Sequence, residues 1–375
     1  MYAKKTLGIY IHVPFCLKKC PYCSFYSIPL NETLKKLYVD ALIESISYFG
    51  AKLKKEYIVD TLYFGGGTPS LLNEEDLFNI FSKIRENFSL RNEEVTLELN
   101  PCSANSIDFT FLRKLGINRL SIGVQSVNSE ELKLLGRLHT NSQSINAIEL
   151  AKKAGFNNIS VDVMINIFNQ SKKSLLNSLI FCHKVNIQHV SAYMLKIEKG
   201  TYFYENINKL SLKSEKTQSD FYLYTCKILE NLGFKQYEIS NFSKPGFESR
   251  HNLKYWNLDE YLGIGPSAHS FLKGKRFYYE NSLKKFLIGK KPTIEQNNGN
   301  ISLEEEYVML NLRLSRGLEN TRYFGKFKRN IPAKYFSKAK IFKNLGFLKT
   351  DNKNYIRLTP KGFLVSNRII SEILF

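Results

Sequence analysis

Cys16, Cys20 and Cys23 fall within eight residues, spaced C-x3-C-x2-C, directly behind the alternating run Leu7-Gly-Ile-Tyr10-Ile-His12-Val13. Thiolates this close together suit a soft metal centre, and one loop can wrap them around a corner of an iron–sulfur cluster. Three ligands leave a four-iron cube one coordination position short. An iron open in that way can bind and polarise a second molecule, whereas a fully ligated cluster serves mainly electron transfer. Two other readings stay open on spacing alone: a zinc loop lacking its fourth ligand, or cysteines buried as small apolar residues.

Two further stretches carry chemistry. Phe64-Gly65-Gly66-Gly67-Thr68-Pro69-Ser70 follows a predicted strand. Consecutive glycines let a backbone approach a ligand and can turn amide N–H groups toward an anion. No Gly-Lys-Ser/Thr follows, so this is not a P-loop. In Arg250-His251-Asn-Leu-Lys-Tyr255-Trp256, a histidine stands five residues before the only tryptophan. Histidine is an axial ligand for haem iron, and aromatic neighbours suit a flat macrocycle. The competing reading is a hydrogen-bonded structural histidine.

The elements that must position these residues follow a βα rhythm, which predicts an α/β fold with helices covering a parallel sheet. Strands are expected at Leu7–Val13, Val59–Phe64, Glu94–Leu99, Asn118–Val124, Asn158–Ile165 and Ile187–Tyr193. Helices are expected at Glu32–Phe49, Glu74–Phe88, Ser106–Leu115, Ser142–Ala154, Lys172–Val185 and Glu215–Leu232, with Asn73 and Ser171 at N-caps and Gly116, Gly155 and Gly233 at helix ends. Six such units make an incomplete barrel, whose sites belong at the carboxyl ends of its strands. Strand alternation then sorts the faces. Val95, Leu97 and Leu99 oppose Thr96 and Glu98; Val161, Val163 and Ile165 oppose Asp162; Leu120, Ile122 and Val124 oppose Ser121, Gly123 and Gln125; Ile9, Ile11 and Val13 oppose Tyr10 and His12. With the aliphatic faces against the helices, the polar sets line one cavity.

The 375 residues, 43% hydrophobic, suffice for one large domain and a smaller one. No run approaches the roughly 20 apolar residues of a membrane span, and Met1-Tyr-Ala-Lys-Lys leads into the first strand without a signal-peptide pattern. Cys102, Cys182 and Cys226 are isolated and read as ordinary thiols rather than a disulfide framework, so the expected setting is the reducing cytoplasm. The net charge of +20 is spread along the chain among many Asn and Ile, as in AT-rich coding, and nucleic acid is not expected as a partner. Weak attraction to anionic lipid stays open.

The loop Cys16-x3-Cys20-x2-Cys23 after Tyr10-Ile-His-Val-Pro-Phe15 resembles the radical S-adenosylmethionine (SAM) superfamily. The resemblance implies a [4Fe–4S] cluster on Cys16, Cys20 and Cys23, with SAM chelating the fourth iron and an electron from the cluster cleaving SAM to a 5′-deoxyadenosyl radical. It also implies an open (β/α)6, TIM-like barrel. Gly66, Gly67 and Thr68 match the family's Gly-Gly-Gly-Thr-Pro stretch and are carried over as SAM contacts. Glu98 matches the acid facing the SAM ammonium. Gln125, Arg137 (in Leu-Gly-Arg-Leu-His) and Asp162 match positions around its ribose and carboxylate, and Tyr10 and Tyr22 match residues beside cluster and adenine. Tyr193 is expected at the pocket mouth.

Beyond residue 235 the rhythm breaks. Tyr237-Glu-Ile-Ser-Asn-Phe-Ser, the His251 stretch and Tyr261-Leu-Gly-Ile-Gly-Pro-Ser-Ala-His269-Ser resemble the HemN/HemW branch, and His-Asn-x-x-Tyr-Trp resembles the HemW haem chaperones. That resemblance implies haem as cargo, held by His251, and delivery to respiratory proteins at the inner face of the membrane. The alternative is the branch's oxygen-independent coproporphyrinogen III oxidase of porphyrin biosynthesis. The oxidase pattern has a further Cys where this chain has Phe25, and a long extension before the first strand where this chain has nine residues before Tyr10. Both features favour the chaperone; a nucleic-acid-modifying radical enzyme rests on charge alone. The expected domains are 1–234, the barrel, and 235–375, a smaller α+β part. From Ile301 that part resembles a winged helix, read as a packing module rather than a nucleic-acid binder. One departure stands out: where the family continues Gly-Leu-Pro-Gly-Gln, this chain has Asn166-Ile-Phe-Asn169-Gln170. Losing those glycines is expected to alter the loop near SAM.

Overall fold

The apolar alternation at the start of the chain forms β1 (Lys5–Val13), with Leu7, Ile9, Ile11 and Val13 wholly buried. A computed structural model describes residues 4–289, 292, 294–296 and 302–375. Met1–Ala3 and Ile301, named above as the chain's start and the edge of its last part, lie outside the described residues. After β1 come α1 (Glu32–Leu53), β2 (Tyr57–Gly66), α2 (Glu74–Asn87), β3 (Leu90–Leu99), α3 (Phe109–Leu115) and β4 (Arg119–Gln125). Then follow α4 (Ser129–Leu134), α5 (Asn141–Lys153), β5 (Ile159–Ile165), α6 (Lys172–Lys184), β6 (His189–Met194) and α7 (Glu215–Asn231).

Strands β1 to β6 pair with their sequence neighbours, all in parallel. Parallel neighbours need a crossover, and the helices supply it. Asn73 and Ser171 cap α2 and α6, and Gly116 ends α3 in the left-handed region. The expected helix over Ser106–Leu115 is shorter. Asp108 accepts from the amides of Thr110 and Phe111 and starts α3 there, after a 3-10 segment at Pro101–Ser106. Burying a Val, Leu or Ile side chain contributes about 1.5–3 kcal/mol, so the aliphatic strand faces packed under the helices supply most of the holding energy.

The sheet does not stop at residue 234. β7 (Lys235–Gln236) and β8 (Asn241–Ser243) add antiparallel strands beyond β6. Past the short helix α8 (Arg250–Trp256), β9 (Tyr261–Ile264) pairs with β1 in parallel. β10 (His269–Leu272), β11 (Lys275–Tyr278) and, after α9 (Leu283–Gly289), β12 (Ile294–Gln296) extend that edge antiparallel. Among the described residues the sheet has 12 strands in the order β12-β11-β10-β9-β1-β2-β3-β4-β5-β6-β8-β7.

The chain ends in α10 (Leu303–Asn311), β13 (Leu318–Glu319), α11 (Asn320–Phe327), α12 (Ala333–Asn344), β14 (Leu348–Thr350), β15 (Tyr355–Leu358), α13 (Pro360–Leu364) and α14 (Ser366–Leu374). β15 pairs antiparallel with both β13 and β14. Gly317, at φ +71°, lets the chain cross this small sheet: a Cβ there would lie 2.1 Å from the Ile356 carbonyl oxygen. The fold is thus mixed α/β, with a largely parallel main sheet and a small antiparallel one. Among the described residues no helix is long and apolar enough to cross a membrane.

Candidate functional site

The cysteine loop leaves β1 and is pinned at its base. Phe15–Cys16 pairs with Ile28–Pro29, and the amides of Ile28 and Leu30 donate to the carbonyls of Pro14 and Cys16. Its tip is held by the Cys23 amide on the Cys20 carbonyl and by the Phe203 amide on the Pro21 carbonyl. Gly136, at φ +66°, lets the turn after α4 close on Pro21, where a Cβ would lie 2.6 Å from the ring. That contact places Arg137, whose Nη1 donates to Cys20 Sγ at 3.7 Å, while Thr68 Oγ1 donates to Cys16 Sγ at 3.6 Å. The Cys23 thiol is pushed up chiefly by burial, is relieved by the Phe25 amide, and feels both Cys20 and Cys16. The three sulfurs are therefore within electrostatic reach of each other. Among the described residues no three His, Cys, Asp or Glu side chains close on a single ion. A cluster takes each thiolate on a different iron, so mutual reach is the relevant condition. Three thiols with hydrogen-bond donors on two of them fit such a cluster.

Beside the loop lies the polar face of the strands. Tyr63 donates to Glu98 Oε1 at 2.8 Å, and the Gly66 amide bonds to the same carboxylate. Burial, reinforced by Asp162, still raises Glu98 to about 7. Arg119 lowers it only in part and makes no hydrogen bond to it among the described residues, so an ammonium group placed there would supply a directly paired cation. Asp162 accepts from Ser121 at 3.3 Å and from Ser191, and burial raises it as well. Gln125 ends β4 at φ +66°, in the left-handed region that favours glycine. The twist brings its amide to Arg137 over Gly123, where a Cβ would lie 3.1 Å from Gln125 Nε2 and 3.3 Å from Arg137 Nη2. Arg137 Nη2 donates to the Gly123 carbonyl at 2.7 Å, but its buried Nε has no partner. A free guanidinium N–H suits a carboxylate. These two observations, an acid short of a cation and a cation short of an anion, fit an amino acid-like ligand such as SAM.

The glycine run behaves differently from the expectation of open amides. The Gly66 amide goes to Glu98, and those of Gly67 and Thr68 donate to the carbonyls of Val13 and Phe15 at 2.8 Å. No amide of these three faces a free anion. The glycines are needed because backbones meet there: a Cβ on Gly67 would lie 2.6 Å from the Phe15 oxygen, and one on Gly66 would lie 2.7 Å from the His12 ring. Tyr10 donates to His12 Nδ1 at 3.1 Å, while His12 Nε2 lies 2.9 Å from the Tyr26 carbonyl. A carbonyl only accepts, so the proton sits on Nε2; burial lowers His12 to about 4 and keeps it neutral. Tyr22 sits beside Cys20 and Arg137, and burial raises its hydroxyl. Tyr193, 42% exposed, lies near the carboxyl end of β6.

His251 lies apart from open space. It is wholly buried in α8, with Nδ1 2.8 Å from Thr61 Oγ1 and Nε2 2.8 Å from the Tyr255 hydroxyl. Glu94 accepts the amides of Arg250 and His251, each at 3.0 Å, and so caps the helix. Burial lowers His251 to about 3. Ligation of iron by His251 requires Nε2 to leave Tyr255.

Sequence reading missed several members. Tyr63 and Gly65 share the Tyr10 face by alternation in β2, a signal that was available. Cys102 is not isolated: it lines a small cavity with Cys20, Thr68, Asn100 and Arg137. Arg119, 1% exposed, faces Glu94 and has buried Nε and Nη1 without partners. The loop after β5 keeps left-handed backbone without glycine, Asn166 at φ +65° and Asn169 at φ +59°. Asparagine is among the residues that tolerate that region best. Gln170 then ties the loop to Glu131 and to the Asn166 amide.

Comparison with known proteins adds to this geometry. The radical SAM superfamily matches residues 10–182. The chain is 33% identical to the heme chaperone HemW of Lactococcus lactis, over 99% of this chain and 98% of the relative. It is 34% identical to the HemW of Buchnera aphidicola subsp. Schizaphis graminum, over 100% of both chains. Among solved structures it resembles the coproporphyrinogen III oxidase HemN of Escherichia coli at TM-score 0.81 and 22% identity, covering 99% of this chain and 90% of that one.

Proposed function

The chain belongs to the HemW family of the radical SAM superfamily, and on that footing we propose that it binds haem and hands it to haem-dependent proteins. The observation that carries this reading is the match at about a third identity to HemW chains over nearly their full length. The likeness to the oxidase, at 22% identity, concerns the fold.

In this reading the six βα units form a partial (β/α)6 barrel (residues 1–234) that carries the cofactors, and residues 235–375 form the smaller part, ending in a winged-helix-like packing module. Cys16, Cys20 and Cys23 hold a [4Fe–4S] cluster. When bound, the cluster supplies an electron to the sulfonium of SAM. Everything else is the work of side chains. Glu98, ionised on meeting a cation, pairs with the SAM ammonium, with Tyr63 and the Gly66 amide holding its carboxylate in place. Arg137 offers its unpartnered Nε to the SAM carboxylate while Nη1 steadies Cys20. Gln125 and Asp162 contact the ribose, Tyr10 and Tyr22 shield cluster and adenine from water, and Gly66, Gly67 and Thr68 close the wall. Haem is the cargo, with His251 as a contact only if Tyr255 releases its Nε2. The recipients are respiratory haem proteins reached from the cytoplasm at the inner face of the membrane.

The deciding experiment incubates anaerobically reconstituted protein with SAM, reductant and either coproporphyrinogen III or haem plus an apo-cytochrome. Haem transfer without porphyrinogen turnover is expected. Formation of protoporphyrinogen IX would overturn the chaperone reading.

A further inference from the structure

We infer that Glu131, a buried carboxylate of α4, is a positioning residue for SAM: it latches the loop after β5 to α4 and thereby holds Arg137, Gln125 and the tip of the cysteine loop in place. This rests on the SAM reading of the site and adds a residue that acts through others.

Glu131 is 4% exposed. A carboxylate so far removed from water is costly unless donors meet it, and three do, each from a different segment. Ser126 Oγ, just past the end of β4, donates to Oε2 at 2.6 Å. Gln170 Nε2, in the loop after β5, donates to the same oxygen at 3.1 Å, and Ser174 Oγ, in the first turn of α6, donates to Oε1. Two of the donors are oriented by what else they bond. Gln170 Oε1 accepts the Asn166 amide at 2.8 Å, which leaves Nε2 as the end facing α4. Ser126 Oγ accepts the Asn128 amide at 3.0 Å, so its proton is what it has to give. An acceptor-only side chain is what such a set calls for.

What the latch holds is a second, smaller apolar core beside the cofactor mouth. Ile167 and Phe168 of the loop pack with Leu135 and Phe203, and Tyr22 lies against them. Leu135 leads directly into Gly136, whose turn closes on Pro21, and the Phe203 amide donates to the Pro21 carbonyl. The small core therefore carries the stretch between Cys20 and Cys23 and the turn that presents Arg137. Asn166 and Asn169 stand in left-handed backbone, and such a conformation persists only where its surroundings over-determine it. Among the described residues the bond from Gln170 is the one hydrogen bond joining that loop to α4. On the other side, Ser126 follows Gln125 in the chain, so its bond to Glu131 fixes how β4 ends. One carboxylate thus ties together the segments that carry Gln125, Arg137 and Tyr22.

The test measures SAM affinity of the full-length, anaerobically cluster-loaded protein by equilibrium dialysis, with urea denaturation to report the folded fraction. The variants are Glu131→Leu, Glu131→Gln, Gln170→Leu and the combination of Glu131→Leu with Gln170→Leu. Glu131→Leu, corrected for its folded fraction, is expected to weaken SAM binding about ten-fold, the scale on which outer-shell partners act. Glu131→Gln keeps a carbonyl for Ser126 and Gln170 and should stay within about three-fold of the unaltered chain. Gln170→Leu is expected to reproduce part of the Glu131→Leu loss, and the combination to fall short of the two losses summed, as partners in one contact do. A folded Glu131→Leu protein that binds SAM like the unaltered chain, a Gln variant no better than the Leu one, or losses that simply add overturns the assignment. Should Glu131→Leu fail to fold, Gln170→Leu decides, and unchanged SAM affinity in it overturns the assignment as well. Failure of the unaltered, cluster-loaded chain to bind SAM would instead bring down the SAM reading itself.

Discussion

The mouth around Arg137 and the plug around His251 are both polar, and they are built on opposite terms. In the plug the groups that touch His251 are answered, although Arg119 behind Glu94 keeps buried nitrogens without a hydrogen bond. Both ring nitrogens of His251 are bonded, Glu94 takes two amides, and Lys254 meets Asp60 at 2.8 Å with little exposure. At the mouth groups are left short: Arg137 Nε has no partner, Glu98 is raised to about 7, and Gln125, Asn166 and Asn169 stand in left-handed backbone. Satisfied polar networks hold a structure together, whereas unsatisfied ones are maintained at a cost that a ligand can offset. The difference separates residues that position from residues that bind.

The hardest blow to this contrast falls on the thiols. Replacing Cys16, Cys20 and Cys23 together by Ala is expected to abolish iron and sulfide uptake while leaving the far-ultraviolet circular dichroism unchanged, because all three are only half-buried. Iron and acid-labile sulfide analysis decides it, and zinc in place of iron would sink the cluster.

Next comes a paired test of the two regions. His251→Ala leaves Thr61 and Tyr255 unpartnered beside a cavity and is expected to cost about 3–5 kcal/mol in urea denaturation. Arg137→Met removes an incompletely partnered buried cation, so its stability should change by about 1 kcal/mol or less. Its SAM affinity by equilibrium dialysis should drop about 10- to 100-fold. Equal stability losses in the two variants would erase the distinction.

A smaller effect follows pH. Only ionised Glu98 pairs with an ammonium, so SAM affinity should climb by up to about ten-fold between about pH 6 and 8. Stability without ligand runs the other way. Burial lifts the folded carboxyl above its unfolded value, so this contribution is present at low pH and is lost as pH rises through about 7. Glu98→Gln should flatten both profiles; a slope that survives in the variant would assign it to another group. The smallest effect is expected from Asn166→Gly with Asn169→Gly. The backbone is already left-handed at both positions, so stability should move by less than about 1 kcal/mol and SAM affinity by less than about three-fold. A large gain in affinity would mean that the asparagines had altered the loop after all.

Much of the site was legible before any coordinates. Cysteine spacing is a local property, and strand alternation has a strict period of two, so Glu98, Gln125 and Asp162 could be assigned to one face from letters alone. Side-chain partners were less accessible. The glycine run promised free amides, and folding spent them on Glu98, Val13 and Phe15. Cys102 looked solitary, because nothing within its own segment announces Cys20 on the facing loop.

Local order in the chain therefore determined the elements, their buried faces and the three thiols, because each depends on residues a few positions apart. Only the tertiary structure decided that β9 closes on β1, that Glu94 caps a helix 156 residues further on, and that His251 is bonded through both ring nitrogens. Those outcomes depend on which surfaces meet across long loops. The free energy of such meetings is set by packing and by the pairing of buried polar groups, which no short window of sequence contains.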